Sequence, residues 1–170
     1  GNDPRNHIAF VYEALFFWNN LKGEHIPFLA TGHQFSPDNT EVVVKLRDGV
    51  TWADGKPFTA DDVVFSFGRI KQPQGTMGIY VAGIADIKKI DDHTIEMNLA
   101  APNPILLRNI VDFRIMSRGW AEKNRSQNVQ DYAKKEEIYA SRNTNGTGPY
   151  LIETMEVGVK AHLARNTNHT

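Results

Sequence analysis

The sequence predicts an α+β fold with a largely antiparallel (mixed) sheet and flanking helices. Two observations predict it. Strand-like runs occur in pairs adjacent along the chain, and helical runs fall between the pairs instead of alternating strictly with single strands, as a wound parallel sheet would require. At 170 residues the chain can bury one core, roughly two-thirds of its unfolded surface.

Each element has its own signal. From Arg5 to Leu15, the spacing of Ile8, Val11, Tyr12 and Leu15 predicts a helix with one apolar face, started by Asp3 as N-cap and Pro4 at the first helical position. After "FFWNNLKGE" comes a loop region. Pro37-Asp38-Asn39 then marks a turn, the run Val42 to Leu46 marks a strand, and Asp48-Gly49 breaks it. Thr59 to Lys71 is the strongest helix. Thr59 is the N-cap, Asp62 at the third helical position is a shortened capping-box partner, and Val63, Phe67 and Ile70 form the core stripe with Val64 alongside.

Beyond the loop "TMGIYVAG", the run "IADIKKIDDHTIEMNL" predicts two strands joined at Asp91-Asp92-His93, with Ile95, Met97 and Leu99 on a buried face. Pro102 and Pro104 bracket the start of a short helix over 105–111. A charged helix is predicted over 129–142, and then a Gly/Asn turn with two alternating strands hinged near Gly158.

Composition excludes several classes. With 41% hydrophobic residues, 23% charged residues and a net charge of -1, the chain is globular, with no electrostatic call on nucleic acid or a membrane surface. No apolar run reaches the roughly 20 residues of a membrane span. The opening "GNDPRNHIAF" is not a signal peptide, so the protein is expected to be cytoplasmic or to have lost its leader. The chain has no cysteine, which excludes disulfides, thiol nucleophiles and cysteine metal sites.

Catalytic motifs are missing: there is no Gly-x-Ser-x-Gly, His-Glu-x-x-His or phosphate-loop Gly-x-x-x-x-Gly-Lys. Gly146-Thr147-Gly148-Pro149 ends in a proline without an amide, so a tight turn feeding a strand is favoured there over phosphate binding. His7, His25, His33, His93, His162 and His169 lack metal-ligand spacing. Asp61 and Asp62 point about 100° apart on a helix, which favours a charged first turn over a shared acid–base site. Trp52, alternating with Val50, is expected in the core, and Trp18 is expected to close the end of the first helix; a stacking platform is the alternative for each. No cofactor and no catalytic or metal residue is expected.

The stretch "FSPDNTEVVVKLRDGVTWADGKPFTADDVVFSFGRI" resembles the signature region of the family 5 extracellular solute-binding proteins, the receptors of peptide, nickel and oligosaccharide ABC importers. The elements that match are Ser36-Pro37-Asp38, Leu46-Arg47-Asp48-Gly49-Val50, Trp52, Asp54-Gly55, Pro57, Thr59-Ala60-Asp61-Asp62-Val63-Val64 and Phe67. The hairpin "IKKIDDHTIEMNLAAPNP" and the strand pair "NGTGPYLIETMEVGVKAHLARN" follow in the family's order.

The resemblance implies part of a two-lobe periplasmic-binding-protein-like fold. Residues 1–145 would be the extra subdomain of the first lobe, and 146–170 a truncated strand pair of its main domain. It further implies a non-catalytic receptor, periplasmic or extracytoplasmic, that holds a peptide or other small solute between its lobes and docks on a membrane permease. By region, the ligand-facing positions would be Tyr80 and the segment holding Asp112 and Phe113; loop packing and helix capping are the competing roles for Tyr80 and Asp112.

Two other functions stay open on the residues. One is a protein-interaction module using Phe16, Phe17 and Trp18. The other is a hydrolase using Asp61, Asp62 or Glu13, which would need two carboxylates about 5–10 Å apart across a cleft.

Overall fold

The computed structural model describes residues 9–134, 137–156 and 160–169. Its centre is a four-stranded antiparallel sheet in the order β3-β4-β6-β5, made of β3 (Ala30–Phe35), β4 (Glu41–Leu46), β5 (Ile84–Asp91) and β6 (Thr94–Leu99). Val42, Val44 and Leu46 of β4 are buried, and Val42 and Val44 sit opposite Met97 and Ile95 of β6. One face of the sheet is therefore a continuous apolar surface, as the alternation requires. Helix α1 (Ala60–Ile70) lays Val63 and Phe67 into the same core, with Val64 and Ile70 packed at its edge.

The dense punctuation before α1 folds as read. Gly49 (φ 74°) and Gly55 (φ 80°) take the left-handed conformation, which glycine adopts at no steric cost. Between them Trp52 is 1% exposed, edge-on to Phe58 at 6.0 Å. Its indole Nε1–H donates to Asp62 Oδ2 at 3.1 Å. The same oxygen accepts the Thr59 N–H at 3.0 Å, and Asp62 Oδ1 accepts the Arg118 N–H at 2.8 Å. The capping carboxylate thus fixes three segments at once, while Asp61 turns outward to Lys89 at 2.6 Å.

Elsewhere the chain departs from expectation. Among the described residues only 9–11 of the first segment are helical; Ile8 lies outside them. Ala14 bridges to Arg114, and β1 (Phe16–Asn19), where Trp18 was expected to close the first helix, forms a hairpin with β2 (Glu24–Pro27), at the start of the expected loop region. Leu15 is still buried, but in extended chain. The aromatic run Phe16-Phe17-Trp18 suits a pleated surface better than a helix, and pairing across the hairpin decides the outcome. Strand β3 was likewise missed.

The expected helix over 129–142 is absent from its described residues, which hold a turn and a 3₁₀ segment, Tyr139–Ser141; residues 135–136 lie outside the description. Polar side chains take the backbone groups there: Gln130 Oε1 accepts from Ile138 N–H (2.8 Å), and Asp131 Oδ1 accepts from Ala133 N–H (3.0 Å). The helix expected over 105–111 is α2 (Leu106–Asn109) running into a 3₁₀ turn, Ile110–Asp112. A further helix, α3 (Arg118–Lys123), starts at Ser117, whose hydroxyl accepts the Trp120 N–H.

Among the described residues, strands β7 (Tyr150–Glu156) and β8 (Lys160–Arg165) pair only with each other; the expected hinge at Gly158 lies outside the described residues. No helix among the described residues is long and apolar enough to cross a membrane.

Candidate functional site

A cavity of about 430 Å³ opens between the C-terminal half of α1, the segment 112–116, the stretches 129–132 and 138–144, and β7. Its size falls in the range of small-ligand sites, roughly 300–1,000 Å³. Ile70, Met77, Ile115, Val129, Ile152 and Met155 give it apolar walls, and Tyr12, Arg69, Asp112 and Arg114 bring polar groups to them.

Local sequence explains how these groups arrive. Arg69 stands in the last turn of α1 and is held by donation from Nε to Ser126 O (3.1 Å) and from Nη2 to Asn128 O (3.2 Å). Tyr12 follows the helical turn at 9–11, and its phenol oxygen accepts the Asn145 N–H at 3.3 Å. Burial pushes the phenol up from 10.0 to about 12, with smaller opposing pulls from the Asn145 hydrogen bond and the Arg69 charge. Burial also lowers the Arg69 and Arg114 guanidiniums below the usual arginine value, offset in part by Tyr12 and Asp112 respectively.

The expected ligand-facing residues separate. Asp112 lies on the cavity wall, with Arg114 Nη2 at 3.6 Å from its Oδ1. Tyr80 sits half-buried in the 3₁₀ turn Gly78–Val81, off the cavity wall. Phe113 is 0% exposed, inside the core beside Ile110 and Ile115, so its side chain packs the fold and is not offered to a ligand. Sequence reading missed Tyr12, Arg69 and Arg114 as wall residues. For Arg69 the helix stripe carried no signal, since at about 100° per residue it stands well round the helix from Val63 and Phe67.

The three carboxylates of the hydrolase alternative are spent separately. Asp62 is bound to Trp52, Thr59 and Arg118, and Asp61 to Lys89. Glu13 is 7% exposed; burial pushes its carboxyl up, against the pull of Thr147, His169 and Arg47. The proposed aromatic docking face also divides: Phe16 is 1% exposed, Phe17 is 55% exposed, and Trp18 is half-buried between His25 (4.8 Å) and the Arg108 guanidinium (5.3 Å).

The glycine motif has a steric reason. A Cβ on Gly146 would lie 1.8 Å from Val11 O, and one on Gly148 would lie 2.4 Å from Phe10 O. The two glycines let the strand entry press against the segment before Tyr12, where Gly148 N–H donates to Val11 O at 3.0 Å.

Residues 24–169 match the family described as bacterial extracellular solute-binding proteins, family 5 Middle. The chain belongs to that family. Among curated relatives, the Escherichia coli dipeptide-binding protein is 32% identical over 151 residues, covering 76% of this chain and 27% of that protein. The periplasmic murein peptide-binding protein of the same organism is 27% identical, over 95% of this chain and 32% of its own length. Both names describe binding, and the second places its protein in the periplasm.

The fold is shared with NikZ from Campylobacter jejuni, solved with Ni(L-His): TM-score 0.80, 24% identity, 95% of this chain and 31% of that one. It is shared too with the oligopeptide-binding protein AppA from Bacillus subtilis, solved with a nonapeptide: TM-score 0.81, 22% identity, 99% and 33%. The α+β fold is thus part of the two-lobe periplasmic-binding-protein-like fold. The chain spans roughly a quarter to a third of the length of these family 5 relatives.

Proposed function

We propose that this chain is the part of a solute receptor's first lobe that supplies one wall of the ligand cleft, in a non-catalytic protein that delivers a peptide or other small solute to the permease of an ABC importer. The observation that carries the reading is an open cavity, apolar with a few polar groups, in a chain whose fold recurs in receptors solved with bound solutes. In this reading residues 1–145 form the extra subdomain and 146–170 belong to the main domain. The separate β7–β8 ribbon supports that division. Asp112, on the cavity wall, and Tyr80, in the neighbouring turn, face the solute, while Phe113 holds Asp112 in place from below. The receptor works outside the cytoplasm, and the second lobe supplies the opposing wall.

The test is a chimera in which this chain replaces the aligned segment of the Escherichia coli dipeptide-binding protein, titrated calorimetrically with Met-Leu, Ni(L-His) and agropinic acid. Capture of one of these by the folded chimera, with weak or no capture by the 170-residue chain alone, is the expected result. A folded chimera that captures none of them would overturn the reading.

A further inference from the structure

We propose that the cavity beside α1 recognises a small organic anion, with its carboxylate on Arg69 and Tyr12 and its aliphatic body against Ile115, Ile152 and Met155. The inference rests on the reading of the chain as a receptor lobe, and it names the ligand chemistry of that lobe's cavity.

The argument is a count of donors and acceptors on the wall. A guanidinium carries five N–H donors. Arg69 gives one from Nε to Ser126 O and one from Nη2 to Asn128 O. The described residues supply no hydrogen-bond acceptor for the others, and no carboxylate among them lies within ion-pair distance of Arg69. The Tyr12 oxygen accepts from Asn145 N–H, which leaves its own O–H to donate.

Several acceptors on the same wall are already engaged, while Gln74 and Thr76, which also line it, are neutral. Gln130 Oε1 takes the Ile138 N–H (2.8 Å) and the Ser141 hydroxyl (3.0 Å). Thr144 Oγ1 takes the Ile152 N–H (3.3 Å), and Asp112 faces Arg114. Arg142 is closed off by two bonds to Glu137, at 2.6 and 2.9 Å. With those pairs neutralised, the described residues of the cavity wall keep one net positive charge, on Arg69.

A part-buried cation without a counter-ion is unfavourable, and burial acts against the charged form of Arg69. An anion entering the cavity would relieve that cost, whereas a cation would add to it. The apolar lining selects an anion with a hydrocarbon body over a bare inorganic one.

The experiment titrates the 170-residue chain with isocaproate and, separately, with isocaproamide, followed by residue-resolved NMR. The pair differs in charge at one end and shares its aliphatic body. Shifts converging on Arg69, Tyr12, Ile115 and Met155, with the acid bound about tenfold or more tighter than the amide, are expected. In Arg69→Gln, checked for a native spectrum, that preference should vanish. Should Arg69→Gln fail to fold, the acid-to-amide ratio in the unaltered chain still decides. Equal binding of acid and amide, shifts elsewhere on the surface, or no binding would overturn the assignment. The receptor-lobe reading fails differently, through a folded chimera that captures no solute, and that failure leaves the acid-to-amide ratio here untouched.

Discussion

Gly146→Ala should be among the most damaging single-methyl changes this chain can receive. Its added Cβ would sit 1.8 Å from Val11 O, 2.6 Å from Val11 C and 3.0 Å from Val11 Cγ1. The first two are backbone atoms, so no side-chain rotation relieves the clash. Ordinary contact of roughly 3.5 Å requires the two segments to part by roughly 1.5 Å. Parting strains the Gly148 N–H to Val11 O bond and the Ala53 N–H to Gly146 O bond, both 3.0 Å, and the Asp54 N–H to Asn145 Oδ1 bond next to them. Overpacking of about 1–3 kcal/mol and the weakening of two or three hydrogen bonds at about 1 kcal/mol each give about 3–6 kcal/mol. At about 2–4 °C per kcal/mol for this chain length, the midpoint of thermal unfolding should fall by roughly 6–24 °C. Gly68→Ala is the matched control. Gly68 is exposed within α1, nothing lies within 4 Å of its built Cβ, and its φ is not positive. That change should stabilise by about 0.5–1 kcal/mol through helix propensity. Circular-dichroism melts of both variants check the pair. If Gly146→Ala melts within a degree or two of the parent, the close-approach reasoning is wrong.

Two further perturbations follow from buried groups. Asp62→Ala leaves the Trp52 Nε1–H, the Thr59 N–H and the Arg118 N–H without their acceptor, at about 1–3 kcal/mol for each donor that water cannot reach; urea unfolding should show a loss of several kcal/mol, and a loss below about 1 kcal/mol would mean the carboxylate is not the hub described. Tyr12, with its phenol raised from 10.0 to about 12, contributes stability that is fully present below pH 10 and is lost as pH rises toward 12. The unfolded phenol ionises first, so the loss is about 2–3 kcal/mol when complete. Tyr12→Phe should flatten that alkaline decline, and tyrosinate absorbance in the parent should show one phenol titrating late.

The parts of the fold legible in the sequence are those where local and tertiary preferences agree. Asp48-Gly49 and Asp54-Gly55 demand turns, Thr59 and Asp62 demand a helix start, and the alternation in β4 and β6 demands a half-buried sheet; each appears as read. Where a side chain could satisfy the backbone in another way, the reading failed. Gln130 and Asp131 drew amides away from the expected helix, and Phe16 to Trp18 found strand partners in Glu24 to Pro27.

The site was less legible for a related reason. Asp112 and Phe113 are adjacent in sequence, yet one reaches the cavity and the other the core, because the 3₁₀ turn ends between them and reverses which side faces in. No periodicity could assign those two faces in advance. Arg69 was visible as a helix-end cation, a position that ordinarily needs no more than the helix dipole and solvent. Its meaning depends on Ser126 and Asn128, 57 and 59 residues away, which hold its guanidinium on the cavity wall. The Gly146-Thr147-Gly148 signature makes the same point from the opposite direction. A motif that might have cradled phosphate on its amides is instead shaped by the Phe10 and Val11 carbonyls pressed against it, so its glycines serve backbone-to-backbone packing against the segment that leads into Tyr12 on the cavity wall.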